Sequence, residues 1–490
     1  MNRIIFSILS VLFLTTGLQA APANAPVGSE LFASGDGTAG SPYVIENADQ
    51  WMNMVQMINL GAGYAKMHYK IAKDINFKKK KVSPIRYFKG TVDGGNHTLS
   101  NAKIGDGTTS HQAFFFLLGG TVKNLKFDSI TVTGGQASGA ASSAAVITAG
   151  NSSVAFTLDN CHVSNSTVIS GPHDGDRGGQ YAAGLVARCN NAEAVIRNCT
   201  VSNTAITAVN ANAGAFVGFC GNGVIENAKS IGNKITVGRN FAGGVFGCFV
   251  AGVAENIESS KNVVTAYRCA GGVAGEMKDG TLINIVSSDN ICTVTTMSAG
   301  GVVGNCTSDN GRIVNVLCKA NTMKSLTHNN TLYLGGVIGG NGTPLATLLA
   351  NCLVLSGTTE YVHNESPEAP YVACVGIFAG YRTLTWDNCI YNQDCRTGFD
   401  PEFTKRAEAN GVKKDWTYRY GVGVKKVLVA KASDAGTDRL GTLCTALTQD
   451  KLSDGTCLNL LNGWVENNKG TYSPLVSWTA DENGYPVIKF

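Results

Sequence analysis

Short apolar runs separated by glycine and polar residues recur along most of this chain. From residue 113 to about residue 391, each unit begins with a glycine-flanked apolar core such as Ala242–Gly247 or Ala270–Gly275. Each unit closes near an asparagine, and successive asparagines lie 28 to 38 residues apart. This spacing indicates a stacked repeat array. The asparagines are Asn124, Asn160, Asn198, Asn227, Asn256, Asn284, Asn315, Asn351 and Asn388.

One unit, from Phe241 to Ala266, contains three short runs separated by glycine, serine, lysine and asparagine, with no apolar stripe at helical spacing. A helical repeat is disfavoured, because glycine costs about 1 kcal/mol per residue inside a helix. Three strands per unit, each stacked on the next unit, predict an all-β fold, a parallel β-helix solenoid. Nine coils at about 4.8 Å would give a core roughly 43 Å long.

The residue after each asparagine is Leu, Ile, Val, Ala or Cys, which is typical of a buried position. Cysteine there is predicted to act as a small hydrophobic side chain. The asparagines are predicted to form a ladder of side-chain amides at a bend, each bonded to the next coil. The cysteines beside them are Cys161, Cys199, Cys352 and Cys389. A second inner row is predicted for Cys189, Cys220, Cys248 and Cys306.

The unit heads Gly184–Ala187 and Gly301–Gly304, followed by Ile-x-Asn-Cys-x-Val as in Ile196–Val201, resemble the GLUG motif. The resemblance covers about residues 113 to 392. GLUG repeats occur in bacterial secreted and surface proteins, including adhesin-like proteins and the non-catalytic part of IgA-cleaving metallopeptidases. The segment Phe88–Leu99 resembles the opening coil of pectin-lyase-like β-helices. These resemblances imply a right-handed solenoid, without the catalytic domain of the metallopeptidases.

The first 20 residues combine a basic start, an apolar run from Ile4 to Leu18 and small residues near Ala20, which predicts a cleaved signal peptide. The first cysteine is Cys161, so we do not expect a lipoprotein, and no later run reaches the ~20 apolar residues of a transmembrane segment. The expected protein is exported, and is secreted, periplasmic or at the cell surface. The segments Asp454–Trp464 and Trp478–Val487 resemble the tail that commonly follows such repeats in secreted proteins of Gram-negative gut and oral bacteria.

Four segments are predicted along the chain. They are a signal peptide (1–20), an N-terminal cap with the first coils (21–112), the GLUG-type repeats (113–396) and a small C-terminal capping module (397–490). In the second segment, Trp51, Met54, Val55 and Ile58 lie at helical spacing after Asn47, which predicts a helix. This helix is expected to cover the first coil, because an open solenoid end exposes core and strand edges.

The C-terminal module contains a short aromatic pattern. Trp416, Tyr418 and Tyr420 would share one face of a strand, next to Arg419. Such a face would either pack on the last coil or stack against sugar rings as a binding platform.

The chain has 15 cysteines, so at least one thiol has no partner within the chain. Cys444 and Cys457 lie outside the repeats. They are the pair expected to form a disulfide in an exported protein.

The polar loop at residues 171–179 carries the candidate chemistry of the early coils. Asp174 and Asp176 beside His173 are a weak calcium site, because calcium prefers six or more oxygen ligands. The same two acids with Arg177 are the candidates for polysaccharide cleavage on a β-helix scaffold. The chain contains no His-Glu-x-x-His and no Gly-x-Ser-x-Gly motif. No cofactor is implied.

Removing Arg3 with the signal peptide leaves 38 basic residues against 35 acidic ones, so nucleic acid is not expected as a partner. The leading hypothesis is an exported, non-enzymatic repeat protein that serves adhesion by binding a glycan or a host surface protein. The alternatives are a polysaccharide lyase or glycoside hydrolase, and a structural spacer. The oligomeric state stays open.

Overall fold

The computed structural model describes residues 31–61, 63–135, 142–150, 153–171, 180–308, 310–326, 332–341, 347–360, 373–379, 385–395 and 444–490. Parallel strands stacked coil on coil dominate these residues and form an all-β, solenoid-like fold. The prediction of stacked parallel strands is confirmed. The helices of the described residues are Ala48–Leu60, Gln449–Ser453 and Thr456–Asn468, with a 3-10 turn at Tyr64–Lys66.

Three parallel sheets run along the stack, and we name each by its number of strands among the described residues. The eight-strand sheet contains Ala144–Ala145, Tyr181–Ala183, Asn212–Gly214, Phe241–Gly243, Cys269–Gly271, Ser298–Gly300, Leu332–Gly335 and Ala373–Gly376. The nine-strand sheet contains Lys103–Ile104, Thr131–Thr133, Thr167–Ser170, Ala205–Ala208, Lys234–Val237, Val263–Ala266, Ile291–Val294, Asn321–Ser325 and Gly357–Glu360.

The twenty-strand sheet contains two kinds of segment, short and long, that alternate along the chain in the central coils. Its strands are Tyr43–Ile45, His68–Ile71, Ile75–Asn76, Thr91–Asp93, Thr98–Ser100, Thr121–Asp128, Thr157–Ser164, Val186–Arg197, Thr200–Ser202, Val217–Ile231, Phe246–Phe249, Val253–Ser260, Ala274–Met277, Thr281–Ser288, Val303–Cys306, Arg312–Lys319, Ile338–Asn341, Leu348–Val354, Thr385–Asn392 and Cys444–Leu447. A separate antiparallel hairpin pairs Trp478–Ala480 with Pro486–Ile488.

A central coil therefore has four strand segments, where the sequence predicts three runs. The first predicted run, from Phe241 onward, splits into two strands because the chain turns sharply at Gly243. A Cβ atom at Gly243 would collide with the carbonyl oxygen of Phe246, so glycine alone fits this turn. This turn brings the two strands Phe241–Gly243 and Phe246–Phe249 of one coil into contact.

The register is continuous from coil to coil. One column of paired residues begins at Tyr43 and Tyr69 and continues to Trp386, with one residue from each successive coil. Apart from the partly exposed Tyr43, these side chains are buried in the main core. Each coil thus covers the inner face of its neighbour, as a solenoid requires.

The predicted N-terminal helix is present at Ala48–Leu60. Asn47 caps it by accepting a hydrogen bond from the Gln50 backbone nitrogen at 3.0 Å. The predicted apolar stripe is buried, and the Trp51 ring lies 5.4 Å from the ring of Phe114 and 6.2 Å from that of Phe77. These edge-to-face contacts attach the helix to the core of the early coils.

The described part of the C-terminal module lies along the flank of the last coils. Only Cys444–Leu447 continues the stack, by pairing with Thr385–Asn392. The helix Thr456–Asn468 and the hairpin pack on outward-facing apolar side chains from four successive coils. Those side chains are Ile283, Val314, Leu317, Ala350, Leu353 and Ile390. The module therefore covers a side of the solenoid, where the sequence predicts a cover for its end.

Candidate binding groove

The recurring asparagines lie at a bend inside the long segments of the twenty-strand sheet. Each has a left-handed φ between 47° and 59°, a conformation that asparagine tolerates better than most residues. From Asn227 to Asn388, each amide donates to the asparagine of the preceding coil at 2.6–3.0 Å. Asn160 likewise donates to Asn124 at 3.0 Å, whereas Asn198 donates to Asp159. The ladder joins the coils at this bend.

A second ladder, which was not predicted, lies six residues further along each central coil. Asn233, Asn262 and Asn290 each donate to the asparagine of the next coil at 3.1–3.2 Å, and the row ends at Asn321. The Asn262 amide also donates to Ser259, whose hydroxyl in turn donates to a backbone carbonyl. All four asparagines are buried, so this network supplies the partners that buried polar groups require.

The cysteines beside the first ladder are buried free thiols in the main core, as are Cys189, Cys220 and Cys306. Burial raises the pKa of Cys161 and of Cys389 well above the ordinary value of a thiol. Cys161 and Cys389 are therefore protonated at neutral pH and pack as small hydrophobic side chains.

Cys444 and Cys457 are both free thiols, so the expected disulfide is not formed. Cys444 pairs in register with Cys389 and packs against the main core. Cys457 lies in the separate apolar cluster between the C-terminal helix and the flank of the solenoid. The two sulfur atoms therefore point into different cores on either side of the sheet.

Side chains of the eight-strand sheet and of the facing strands of the twenty-strand sheet meet along one side of each coil. We call this line of contact, which is partly exposed at Tyr181, Phe219, Phe241 and Tyr333, the outer groove. Its floor is glycine and alanine, because the two backbones approach closely. A Cβ atom at Gly247 would stand 2.7 Å from the backbone nitrogen of Ala213, and one at Gly275 would stand 2.6 Å from that of Ala242. The repeated glycines of the unit heads permit this approach.

The walls of the outer groove are two rows of side chains in register from coil to coil. The row on the eight-strand sheet is Tyr181, Asn212, Phe241, Cys269, Ser298 and Tyr333. The row on the twenty-strand sheet is Arg188 and Phe219, near the starts of two long strands, followed by Cys248, Glu276 and Asn305 on short strands. None of these side chains belongs to the main core cluster. Five of them are partly exposed, namely Tyr181, Arg188, Phe219, Phe241 and Tyr333, and the other six are buried.

The N-terminal end of the outer groove holds an arginine between aromatic rings. The Tyr181 and Phe219 rings are 5.2 Å apart, and the Arg188 guanidinium carbon lies 5.9 Å and 5.4 Å from their centres. In the next coil Arg268 lies 5.7 Å from the ring of Phe241. The three rings are only half-buried, so they present apolar faces beside positive charge.

The middle of the outer groove holds a buried carboxyl group beside thiols. Glu276 accepts hydrogen bonds from the Cys248 thiol at 3.5 Å and the Thr307 hydroxyl at 3.3 Å. Burial raises the pKa of Glu276, and burial with the nearby carboxyl raises that of Cys248. Cys248 is predicted on an inner row, but Phe249 takes that place because it is Phe249 that pairs with Cys220.

Several residues singled out in the sequence lie outside the described residues. They are the signal peptide, the loop acids Asp174 and Asp176 with Arg177, and the aromatic platform of Trp416, Tyr418, Arg419 and Tyr420. The outer groove was not predicted from sequence. A signal for it exists, since the residue two or three places before each glycine head is often aromatic.

No protein-family model matches the chain, and no curated protein matches it. The resemblance to the GLUG repeat therefore rests on the repeat residues themselves. Among solved structures, the chain is similar to the crystal structure of a "putative immunoglobulin A1 protease" from Bacteroides ovatus, at 15% identity. The match covers 94% of this chain and 96% of that one, with a TM-score of 0.33.

Two further features were sought in the described part of the chain. None of its helices has the length and hydropathy to cross a membrane. Within the same residues, no group of three or more histidine, cysteine or acidic side chains is arranged to hold a metal ion.

Proposed function

We propose that this protein is an exported, non-enzymatic repeat protein that binds carbohydrate through the outer groove. We infer a right-handed coil, because parallel crossovers are right-handed in nearly all proteins. The N-terminal helix then covers the first coil. The observation that carries the proposal is the set of half-buried rings of Tyr181, Phe219 and Phe241, which stand in two facing rows.

The chemistry of the groove suits sugar rings. A pyranose has one apolar face of C–H groups, which packs on an aromatic ring, and a rim of hydroxyl groups, which needs donors and acceptors. The Tyr181–Phe219 pair and Phe241 supply the aromatic faces, and Asn212 supplies an amide oxygen that has no hydrogen-bond partner among the described residues. Because half-buried rings occur in three successive coils, at Tyr181, Phe219 and Phe241, this surface suits a linear oligosaccharide better than a single compact ligand.

Binding to a set of oligosaccharides tests this function. We expect micromolar binding of the wild-type chain to at least one, and a loss of about fivefold for Phe219→Ala, which removes about 1 kcal/mol of stacking. Tyr472→Ala is the matched control, because Tyr472 is a half-buried tyrosine stacked on Trp464 outside the groove. Absence of binding by the wild-type chain, or an equal loss in both variants, contradicts the proposal.

Cleavage of carbohydrate is a second candidate, and Glu276 is the observation that favours it. A buried carboxyl group with a raised pKa is the usual form of a general acid, and Glu276 lies in the wall of the groove. Glycoside hydrolysis ordinarily needs a second carboxylate at about 5–9 Å. A reducing-sugar assay with wild-type protein and Glu276→Gln separates the two functions, since binding alone releases no reducing ends.

A further inference from the structure

Unpaired polar atoms collect at one end of the outer groove. Among the described residues, the Arg188 Nε and the Asn212 carbonyl oxygen are buried without a hydrogen-bond partner. Asn212 is only 6% exposed, and it pairs in register with Tyr181, beside Arg188. Native proteins leave few buried polar groups unpaired, because an unpaired buried group has lost its hydrogen bonds to water without replacement. A bound ligand would supply the missing partners.

The same end of the groove carries the positive charge of Arg188. Arg188 forms no ion pair with any described residue. His111 is a further member of this end, and its Nδ1 is also buried and unpaired. The pKa of His111 is lowered by burial and then by the charge of Arg188, so the imidazole is neutral at pH 7. Arg188 thus supplies the positive charge here, and its guanidinium has the geometry that binds a carboxylate.

The middle of the groove provides the contrast. Glu276 has its partners in Cys248 and Thr307, and the Ser298 hydroxyl donates to Cys269 at 3.5 Å. The need for an external partner is therefore concentrated in the coil of Tyr181 and the coil that follows it.

We propose that Arg188 and Asn212 form a subsite for a sugar that carries a carboxylate. Arg188 donates to the carboxylate, the Asn212 oxygen accepts from a neighbouring hydroxyl group, and the sugar ring packs on Tyr181 and Phe219. This inference rests on the proposed function and narrows its ligand to acidic carbohydrate. A uronic acid of a polysaccharide and a sialic acid of a glycoprotein share this chemistry.

Two matched pairs of ligands test the subsite with the full chain. One pair is hexagalacturonate and its methyl ester, and the other is sialyllactose and lactose. Within at least one pair, we expect the acidic ligand to bind about tenfold more tightly at low salt. Arg188→Gln should bring that ratio to within twofold while the affinity for the neutral ligand is retained. The pair that responds identifies the source of the carboxylate.

Arg312→Gln is the control, because Arg312 is an exposed arginine on the twenty-strand sheet outside both rows. An equal fall in the ratio with Arg312→Gln would mean a general effect of net charge and overturns the subsite. A ratio near one for the wild-type chain, with binding that still depends on Phe219, overturns the subsite and leaves the proposed function standing. Failure of every ligand to bind overturns both.

Discussion

Asn315 joins the amide ladder to the C-terminal module, so replacing this residue tests how the module is held on the solenoid. Its amide donates to Asn284 and to the carbonyl oxygen of Val476, each at 2.8 Å. Its oxygen accepts from Asn351 at 2.8 Å and from the Trp478 indole at 2.6 Å. The side chain is fully buried, and φ is 59°. Replacement by alanine removes all four hydrogen bonds and leaves alanine in a left-handed conformation.

The expected cost follows from these contacts. Each lost hydrogen bond contributes about 1 kcal/mol, and the left-handed backbone costs alanine about 1 kcal/mol more. Asn315→Ala should therefore lower the free energy of unfolding by about 5 kcal/mol. Asn227→Ala is the matched control, because Asn227 is exposed and has two ladder bonds, at 3.0 Å and 2.9 Å. Asn227→Ala should lower the free energy of unfolding by about 2 kcal/mol, because water partly replaces the hydrogen bonds of an exposed side chain.

Urea unfolding followed by tryptophan fluorescence measures both variants, because Trp464 and Trp478 lie in the interface between module and solenoid. Asn315→Gly should recover about 1 kcal/mol relative to Asn315→Ala, since glycine accepts the left-handed φ without strain. Equal losses for Asn315→Ala and Asn227→Ala, within about 1 kcal/mol, would refute the role of Asn315 in docking the module.

Two further predictions concern the flank and the thiols. Val314→Lys places a charge in the buried interface with the C-terminal module, so trypsin should release the module while circular dichroism of the solenoid is unchanged. The control is Glu255→Lys, which lies in the same column of paired residues but outside that interface. Continued protection of the module from trypsin in Val314→Lys would contradict the prediction. Burial raises the pKa of Cys292 and of Cys306 to about 12 from 9.0. A raised pKa favours the folded state while the thiol is protonated, so stability is constant below pH 9 and falls as pH rises from 9 to 12. At pH 10.5 the free energy of unfolding should be lower by about 2 kcal/mol per thiol. Cys292→Val should reduce the dependence of this free energy on pH, measured by urea unfolding at several pH values. An unchanged dependence on pH in this variant would contradict the assignment.

The stack itself was predictable because its constraint recurs in every unit. A bend with positive φ accepts asparagine, and the residue that follows must be apolar because it enters the core. Asn256 with Ile257 therefore marks one coil, and Asn284 with Ile285 marks the next. The helix was predictable from Trp51 to Ile58 because its buried stripe has the 3.6-residue period.

The sequence contains signals for the docking of the C-terminal module and for the second ladder, but hydrophobic periodicity alone does not predict either feature. The residue before each asparagine changes from Glu226 and Glu255 to Ile283, Val314 and Ala350, which marks where the C-terminal module docks. The buried asparagines recur at a constant six residues after the first ladder, a spacing that only the folded corner explains.

The outer groove was the least predictable feature. Its shape depends on two backbones that approach at glycine, and glycine in a repeat predicts tight turns equally well. Tyr181 and Arg188 lie seven residues apart in the chain, and only the sharp turn between their strands brings their side chains together.

A crystal structure of the protein with its tightest-binding oligosaccharide is the most direct test of the outer groove as a carbohydrate site. We expect density for a sugar ring against Tyr181 and Phe219, with a carboxylate on Arg188. Density for the sugar on the nine-strand sheet or on the C-terminal module, with the outer groove empty, would contradict it.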